Sequence, residues 1–317
     1  MTIDADIAAG VEARLRAAWV RLEPGAGALP SPRPIGRVAA FSDDVVRGRR
    51  HAVRAVLGDT PSGWSVDLRD SSDADVDAPA VDRDDALAAA ALAFGDALGL
   101  ARPDARLTER LTLLLEPRSW VGGSRPAPAI ARAFGVARVY DAVLGALAHA
   151  WPDCARAGSC SLGAIVVAQL DHDWLLDVVP GGRGADVRGD GGPWPGPVLA
   201  PGTLQACDGV VVTTAMREAS GGGGARRGGD GTLARYHFVR AGRLEVAIDR
   251  VSNPPHGLDR AGPPEPAQLR LLLPDHEPRA LASWRAHEIP AGATVEVATA
   301  GGAGHGFPGW GIDFEWS

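Results

Sequence analysis

Between residues 4 and 22, apolar side chains recur at steps of three and four: Ile7, Val11, Leu15, Ala18, Trp19 and Leu22 share one face of a helix. A proline- and glycine-rich link, Pro24 to Pro34, ends it. Ser42 then stands where a cap belongs, Val46, Val53, Val56 and Leu57 follow on one side, and Gly58 can close the segment, so the spacing predicts a second helix over 42–58. Over 63–69 the period drops to two, with Trp64, Val66 and Leu68 alternating with polar residues, which predicts a strand with one wet face. A helix from about 83 to 98 starts behind aspartates that cap it and complement its macrodipole. Residues 107–115 are apolar enough for a buried segment, and 116–123 form a loop. The strongest helical pattern covers 129–150, carried by Ile130, Phe134, Val139, Tyr140, Val143, Leu144 and Leu147 and stopped at Trp151-Pro152.

Downstream the pattern turns to strands. Leu162–Leu170 and Trp174–Val179 read as a hairpin around Asp171-His172-Asp173, a triplet read as a solvated turn. Residues 180–202 are so rich in glycine and proline that they read as loop throughout. Runs at 232–239, 243–248, 268–273 and 294–299 then follow at short spacing. The expected class is α+β, with a helix-rich N-terminal half holding a few strands and an antiparallel β-rich C-terminal third bearing Gly-rich loops. The expected parts are 1–180 and 203–317, joined by the 181–202 loop.

Composition narrows the classes. At 317 residues, 45% hydrophobic and 22% charged, the chain can bury a substantial core. A net charge of −7 without a basic face argues against nucleic acid as the main partner. The longest apolar stretch, Ala86 to Gly95, stops at Asp96, too short to cross a bilayer. The N-terminus is acidic and lacks the basic and apolar regions of a signal peptide, so a cytoplasmic location is expected. Cys154, Cys160 and Cys207 lack zinc spacing and read as reduced thiols. All 32 basic residues are arginine, which removes a Walker loop, Schiff-base chemistry and a lysine base.

Motifs with recognisable chemistry are sparse. The acidic run around Asp73 fails as a calcium loop, because its sixth position is Ala78 and its twelfth Asp84. A hydrolase elbow, a His-Glu-x-x-His helix and a dinucleotide fingerprint are absent, and the eight histidines are scattered. No catalytic, cofactor-binding or metal-ligating residue emerges. The most unusual segment is Ser220–Gly231, in which seven of twelve residues are glycine and Arg226 and Arg227 are adjacent. It reads either as a tight β-corner or as an interface or anion-binding loop in which Gly222, Gly223, Arg226, Arg227 and Asp230 face a partner, phosphate or carboxylate.

The order of segments carries a resemblance. Ser220–Phe238, then Ile248-Asp-Arg-Val-Ser-Asn-Pro-Pro-His-Gly-Leu258, then Ile289–Gly304 resemble the C-terminal part of the hydantoinase B/oxoprolinase family, with its Gly-rich Arg-Gly-Gly-Asp-Gly loop, Pro-Pro-x-Gly turn and final Gly-rich segment. Upstream, Leu115-Glu-Pro-Arg118, Val139–Ala148 and Asp67–Ser72 are similar to family segments in the same order. Full family members are longer. Their N-terminal His- and Asp-bearing segments have no counterpart here, and Gly191–Pro201 replaces a segment rich in His, Thr and Asn, so no catalytic or metal ligand carries over. A truncated relative of this kind is similar to a small subunit of an ATP-dependent carboxylase that converts acetophenone and bicarbonate to a β-keto acid. The resemblance implies an accessory chain that binds no cofactor itself, with ATP and a divalent metal on larger hydantoinase A/B-like partner subunits. A subunit of a hydantoinase or 5-oxoprolinase, or a non-enzymatic scaffold, remains an alternative.

Overall fold

The computed structural model describes residues 5–308 except 26–27, 76–78, 101–103, 124–126, 195 and 197. In chain order the elements are α1 (Ala5–Ala18), β1 (Arg37–Val46), β2 (Arg49–Thr60), β3 (Gly63–Asp67), α2 (Arg83–Ala97), β4 (Leu111–Leu114), α3 (Ala129–Ala150), β5 (Ala164–Leu170), β6 (Asp173–Val179), β7 (Gly181–Gly182), β8 (Pro193–Trp194), β9 (Gly202–Gln205), β10 (Val210–Arg217), β11 (Gly231–Phe238), β12 (Gly242–Ile248), β13 (Gln268–Leu272), β14 (Arg279–Ala280), β15 (Ala286–Ile289) and β16 (Thr294–Ala298). Short 3-10 turns at Ala105–Arg110 and Pro152–Cys154 precede β4 and follow α3.

Three larger sheets run β1-β2-β3-β4, β15-β12-β5-β6-β9 and β10-β11-β16-β13-β14, with β7 and β8 as a two-stranded ribbon. All pairings are antiparallel except β3 with β4. The second sheet draws strands from both sides of residues 181–202. Strand alternation assigns its two faces to two cores: Ile165, Val167, Leu176 and Val178 join one, Val166, Ala168, Leu175 and Val179 the other. The first core also holds α3, α2 and the β1–β4 sheet, so α3 lies between two sheets and is buried almost all round. In it Trp64, Phe94 and Trp151 pack at centroid distances of 4.7, 5.9 and 6.0 Å. The second core holds Tyr236, Phe238, Val295 and Val297 of the third sheet. Across it, the Tyr236 hydroxyl donates to Asp177 of β6 at 2.6 Å.

The helix-rich N-terminal half is not what forms. Strand outweighs helix over the molecule, 36% to 20%, and residues 42–58 are a hairpin rather than a helix. Val46 pairs with Arg49 across Arg47 and Gly48, both at positive φ (51° and 83°), the geometry of a two-residue hairpin turn. His51, Val53, Ala55 and Leu57 point inward at period two. The valines that match a helical stripe are β-branched, and pairing plus burial on α3 decides the outcome. Residues 107–115 split into a 3-10 turn and β4, and β10, at 210–217, lies in a stretch where no strand is expected from the pattern. Expectations over 83–98, 129–150, the 162–179 hairpin and the four later strands match α2, α3, β5–β6 and β11, β12, β13 and β16. Asp82 caps α2, its carboxylate accepting from the Asp85 amide at 2.8 Å.

Residues 180–202 are also more than loop. They contain β7 and β8 and bury Gly181, Gly182 and Gly184. Glycine here serves close packing: a Cβ on Gly182 would overlap the Gly229 carbonyl oxygen, and one on Gly184 that of Ala157.

Candidate functional site

Four segments remote in sequence interlock through their backbones. The Gly222 amide donates to the Gly302 carbonyl at 2.8 Å, Gly228 to Gly222 at 2.9 Å, Gly229 to Arg183 at 2.8 Å and Gly302 to Gly229 at 2.8 Å. Arg226 and His305 exchange both bonds, at 2.8 and 2.9 Å. The Gly223 carbonyl accepts from Gly262 at 2.7 Å, and the Gly191 amide donates to Arg227 at 2.8 Å. These approaches exclude side chains, which explains the glycine density of 181–192, 220–231 and 300–306.

Each residue singled out in the 220–231 loop has a definite place. Gly222 is buried and Gly223 exposed. The Arg227 amide donates to Asp190 at 2.9 Å, and its guanidinium donates to Asp230 at 2.6 Å. Asp230 also accepts from the Gly221 amide at 2.9 Å. Burial opposes charge on Asp230, but the Gly221 amide and Arg227 hold its pKa below the ordinary carboxylate value. Amides at 221, 222, 226, 227, 228 and 229 thus donate within the chain. The side chain of Arg226 is exposed.

Beside this lattice lies a cleft of about 270 Å³ between β1, α3 and the 249–258 loop. Ala39, Phe41, Leu144, Pro255 and Leu258 give it apolar walls. Ser42, Asp141 and Arg250 contribute its polar groups, with exposed His149 and His256 beside them. The lattice fixes the cleft's loop, since the Gly158 amide donates to the His256 carbonyl at 2.9 Å and the Gly158 carbonyl accepts from Ala303 at 2.8 Å.

Arg250 organises the cleft's base. Its φ of 63° is costly for a non-glycine residue, of order 1–3 kcal/mol, and the surrounding bonds hold it there. Its amide donates to Asp44 at 2.9 Å, and its guanidinium donates to Asp141 at 2.6 Å, to the Asp43 carbonyl at 3.1 Å and to Ser42 at 3.3 Å. Arg138 of α3, only 2% exposed, sits 2.9 Å from both Asp249 and Asp141. Two guanidiniums therefore face three buried carboxylates: Asp44, Asp141 and Asp249. Asp44 and Asp249 are neighbouring acids whose ionisations oppose each other. Burial first, then the Asp249 charge, pushes Asp44 up to about 7. Burial opposes ionisation of Asp249 as well, yet Arg138 and Arg250 hold its pKa below the usual value.

Polar groups beneath apolar walls suit one small organic molecule bearing a carbonyl or carboxyl group. Among the described residues no group of three or more His, Cys, Asp or Glu is placed to hold a metal ion. Sequence reading missed Arg138, Asp141, Asp249 and Arg250. Two signals were available: charges three apart inside an apolar helix, and an Asp-Arg pair closing a strand.

Residues 28–308 match the family model described as hydantoinase B/oxoprolinase. The chain belongs to this family. Two solved structures share the hydantoinase B-like fold. One is an ATP-dependent caprolactamase from Pseudomonas jessenii, with TM-score 0.68 and 18% identity over 96% of this chain and 55% of that one. The other is a nucleotide-free acetone carboxylase, with TM-score 0.69 and 13% identity over 94% of this chain and 47% of that one. The chain spans about half the length of each. No curated protein matches the sequence.

Proposed function

We propose that this hydantoinase B-type chain is the accessory, epsilon-type subunit of an ATP-dependent acetophenone carboxylase, acting in the cytoplasm within a hetero-oligomer. Larger hydantoinase A/B-like subunits bind ATP and a divalent metal and activate the ketone and bicarbonate, and this chain completes the complex through its lattice and cleft surfaces. The observation that supports the reading is the family match over 28–308, joined by a fold shared with an acetone carboxylase whose carboxylation is ATP-dependent. A second reading is a subunit of an ATP-dependent cyclic amidohydrolase, favoured by the likeness to the caprolactamase.

The test is ATP-dependent incorporation of labelled bicarbonate into acetophenone by the partner subunits, with and without this chain. Incorporation only in its presence supports the carboxylase reading. Equal incorporation without it makes the chain a scaffold. Substrate-dependent ATP hydrolysis with caprolactam, hydantoin or 5-oxoproline, and none with ketones, replaces the carboxylase reading with the amidohydrolase.

A further inference from the structure

Arg156 lines the cleft on one side and, on the other, a separate polar cavity of about 180 Å³ near the C-terminal end of α2. Three guanidiniums border this second cavity, those of Arg156, Arg183 and Arg188, against two carboxylates, Asp96 and Asp186, an excess of one positive charge. The carboxylates are well supplied with donors. Asp96 accepts from the Tyr140 hydroxyl at 2.7 Å, from Arg183 at 2.8 Å and from Arg156. Asp186 accepts from Arg156 at 3.1 Å and from the Arg188 and Gly189 amides at 2.9 and 3.2 Å.

Donors are left over. Arg156 is about nine-tenths buried, and its Nε–H has no hydrogen-bond partner. Arg188 is exposed at the rim and makes no ion pair among the described residues. Cys154 also borders the cavity; burial pushes its thiol up, so it adds no negative charge. The nearby Asp153 is already paired with Arg33 at 2.7 Å. An ordinary role for these arginines is to answer the negative end of α2. That role accounts for the bonds to Asp96 but leaves both the buried Nε–H and Arg188 without an acceptor.

We infer that this cavity is a binding site for one small oxyanion of the phosphate or bicarbonate kind, held by Arg156, Arg183 and Arg188. A volume of about 180 Å³ holds such an anion with a few waters and is too small for a nucleotide. Guanidiniums present paired N–H groups that match such oxygens. The inference does not depend on carboxylation: phosphate is released by ATP hydrolysis in either reading, and bicarbonate is consumed in only one.

The purified chain is titrated calorimetrically with inorganic phosphate and, separately, with bicarbonate, in chloride buffer. Saturable 1:1 binding of at least one anion, weakened at least about tenfold by Arg188→Glu with an unchanged melting midpoint, is expected. Arg279→Ala, a change at an exposed position of β14, should leave binding intact. Which anion saturates identifies the source. If neither binds saturably to the wild type, or if Arg188→Glu binds as the wild type does, the three arginines serve only the end of α2 and the inference falls.

Discussion

The first core and the glycine lattice are stabilised in opposite ways. Around Trp64, Phe94 and Trp151, the fold depends on side-chain volume: three rings fully out of water, with the indole N–H groups of Trp64 and Trp151 donating to the Arg33 and Pro34 carbonyls at 2.9 and 3.0 Å. Between 181–192, 220–231 and 300–306, it depends on side chains being absent, so that backbone meets backbone. Removing atoms should damage the first region and adding them the second.

Gly228→Ala gives the sharpest contrast. Its single methyl group would overlap the Gly302 carbonyl oxygen, and because the obstacle is backbone, the loss of stability should exceed about 5 kcal/mol. Denaturant unfolding checks this, and a near-wild-type midpoint would mean that the lattice yields easily. Trp64→Ala, the complementary change, should cost about 3–5 kcal/mol by leaving a cavity against Phe94 and Trp151. If truncation there proves cheaper than an added methyl at an open glycine such as Gly189, the contrast collapses.

Asp44 links the two regions, since it joins β1 to the 249–258 loop. Its folded pKa, about 7, lies above the ordinary carboxylate value, so the folded state holds a proton that the unfolded chain releases. The resulting stabilisation is complete below about pH 4 and is lost as pH rises through 7, at up to ~1.4 kcal/mol per pH unit. Asp44→Asn should flatten that decline, as read from unfolding midpoints between pH 4 and 8. An unchanged slope would place the proton on another group.

The smallest effect on folding is expected from Arg226→Ala with Arg227→Ala. Both side chains are exposed, and the Arg227–Asp230 pair is a surface one, so stability should move by less than about 1 kcal/mol. Association with the proposed partner subunits should weaken instead, measurable by co-purification or light scattering. Wild-type association would leave the loop with a purely architectural role.

What could be read from the sequence follows how local the cause of each element is. The helix at 129–150 and the strands at 232–239 and 294–299 are legible because their periodicity reports burial directly. The 42–58 segment is not: Val46, Val53, Val56 and Leu57 fit a helical stripe, and only pairing of Val46 with Arg49 and packing against α3 distinguish the hairpin. The glycines were visible, but their purpose was not, because it depends on a second glycine segment meeting them in space. The charge cluster was hidden for the same reason. Arg138 and Asp249 stand 111 positions apart, and nothing local in either announces the other.

The lattice also bears on how the chain is made. Its last strip, 300–306, supplies acceptors to Gly222, Ala225 and Arg226, and it donates to Gly158 and Gly229. During synthesis, then, the 220–231 segment emerges with its 183–191 partners already made but its 300–306 partners still untranslated, and only arrival of that strip completes the lattice. The nascent protein therefore passes through a stage in which its most glycine-dense loop is complete in sequence but lacks the strip that completes its backbone bonds.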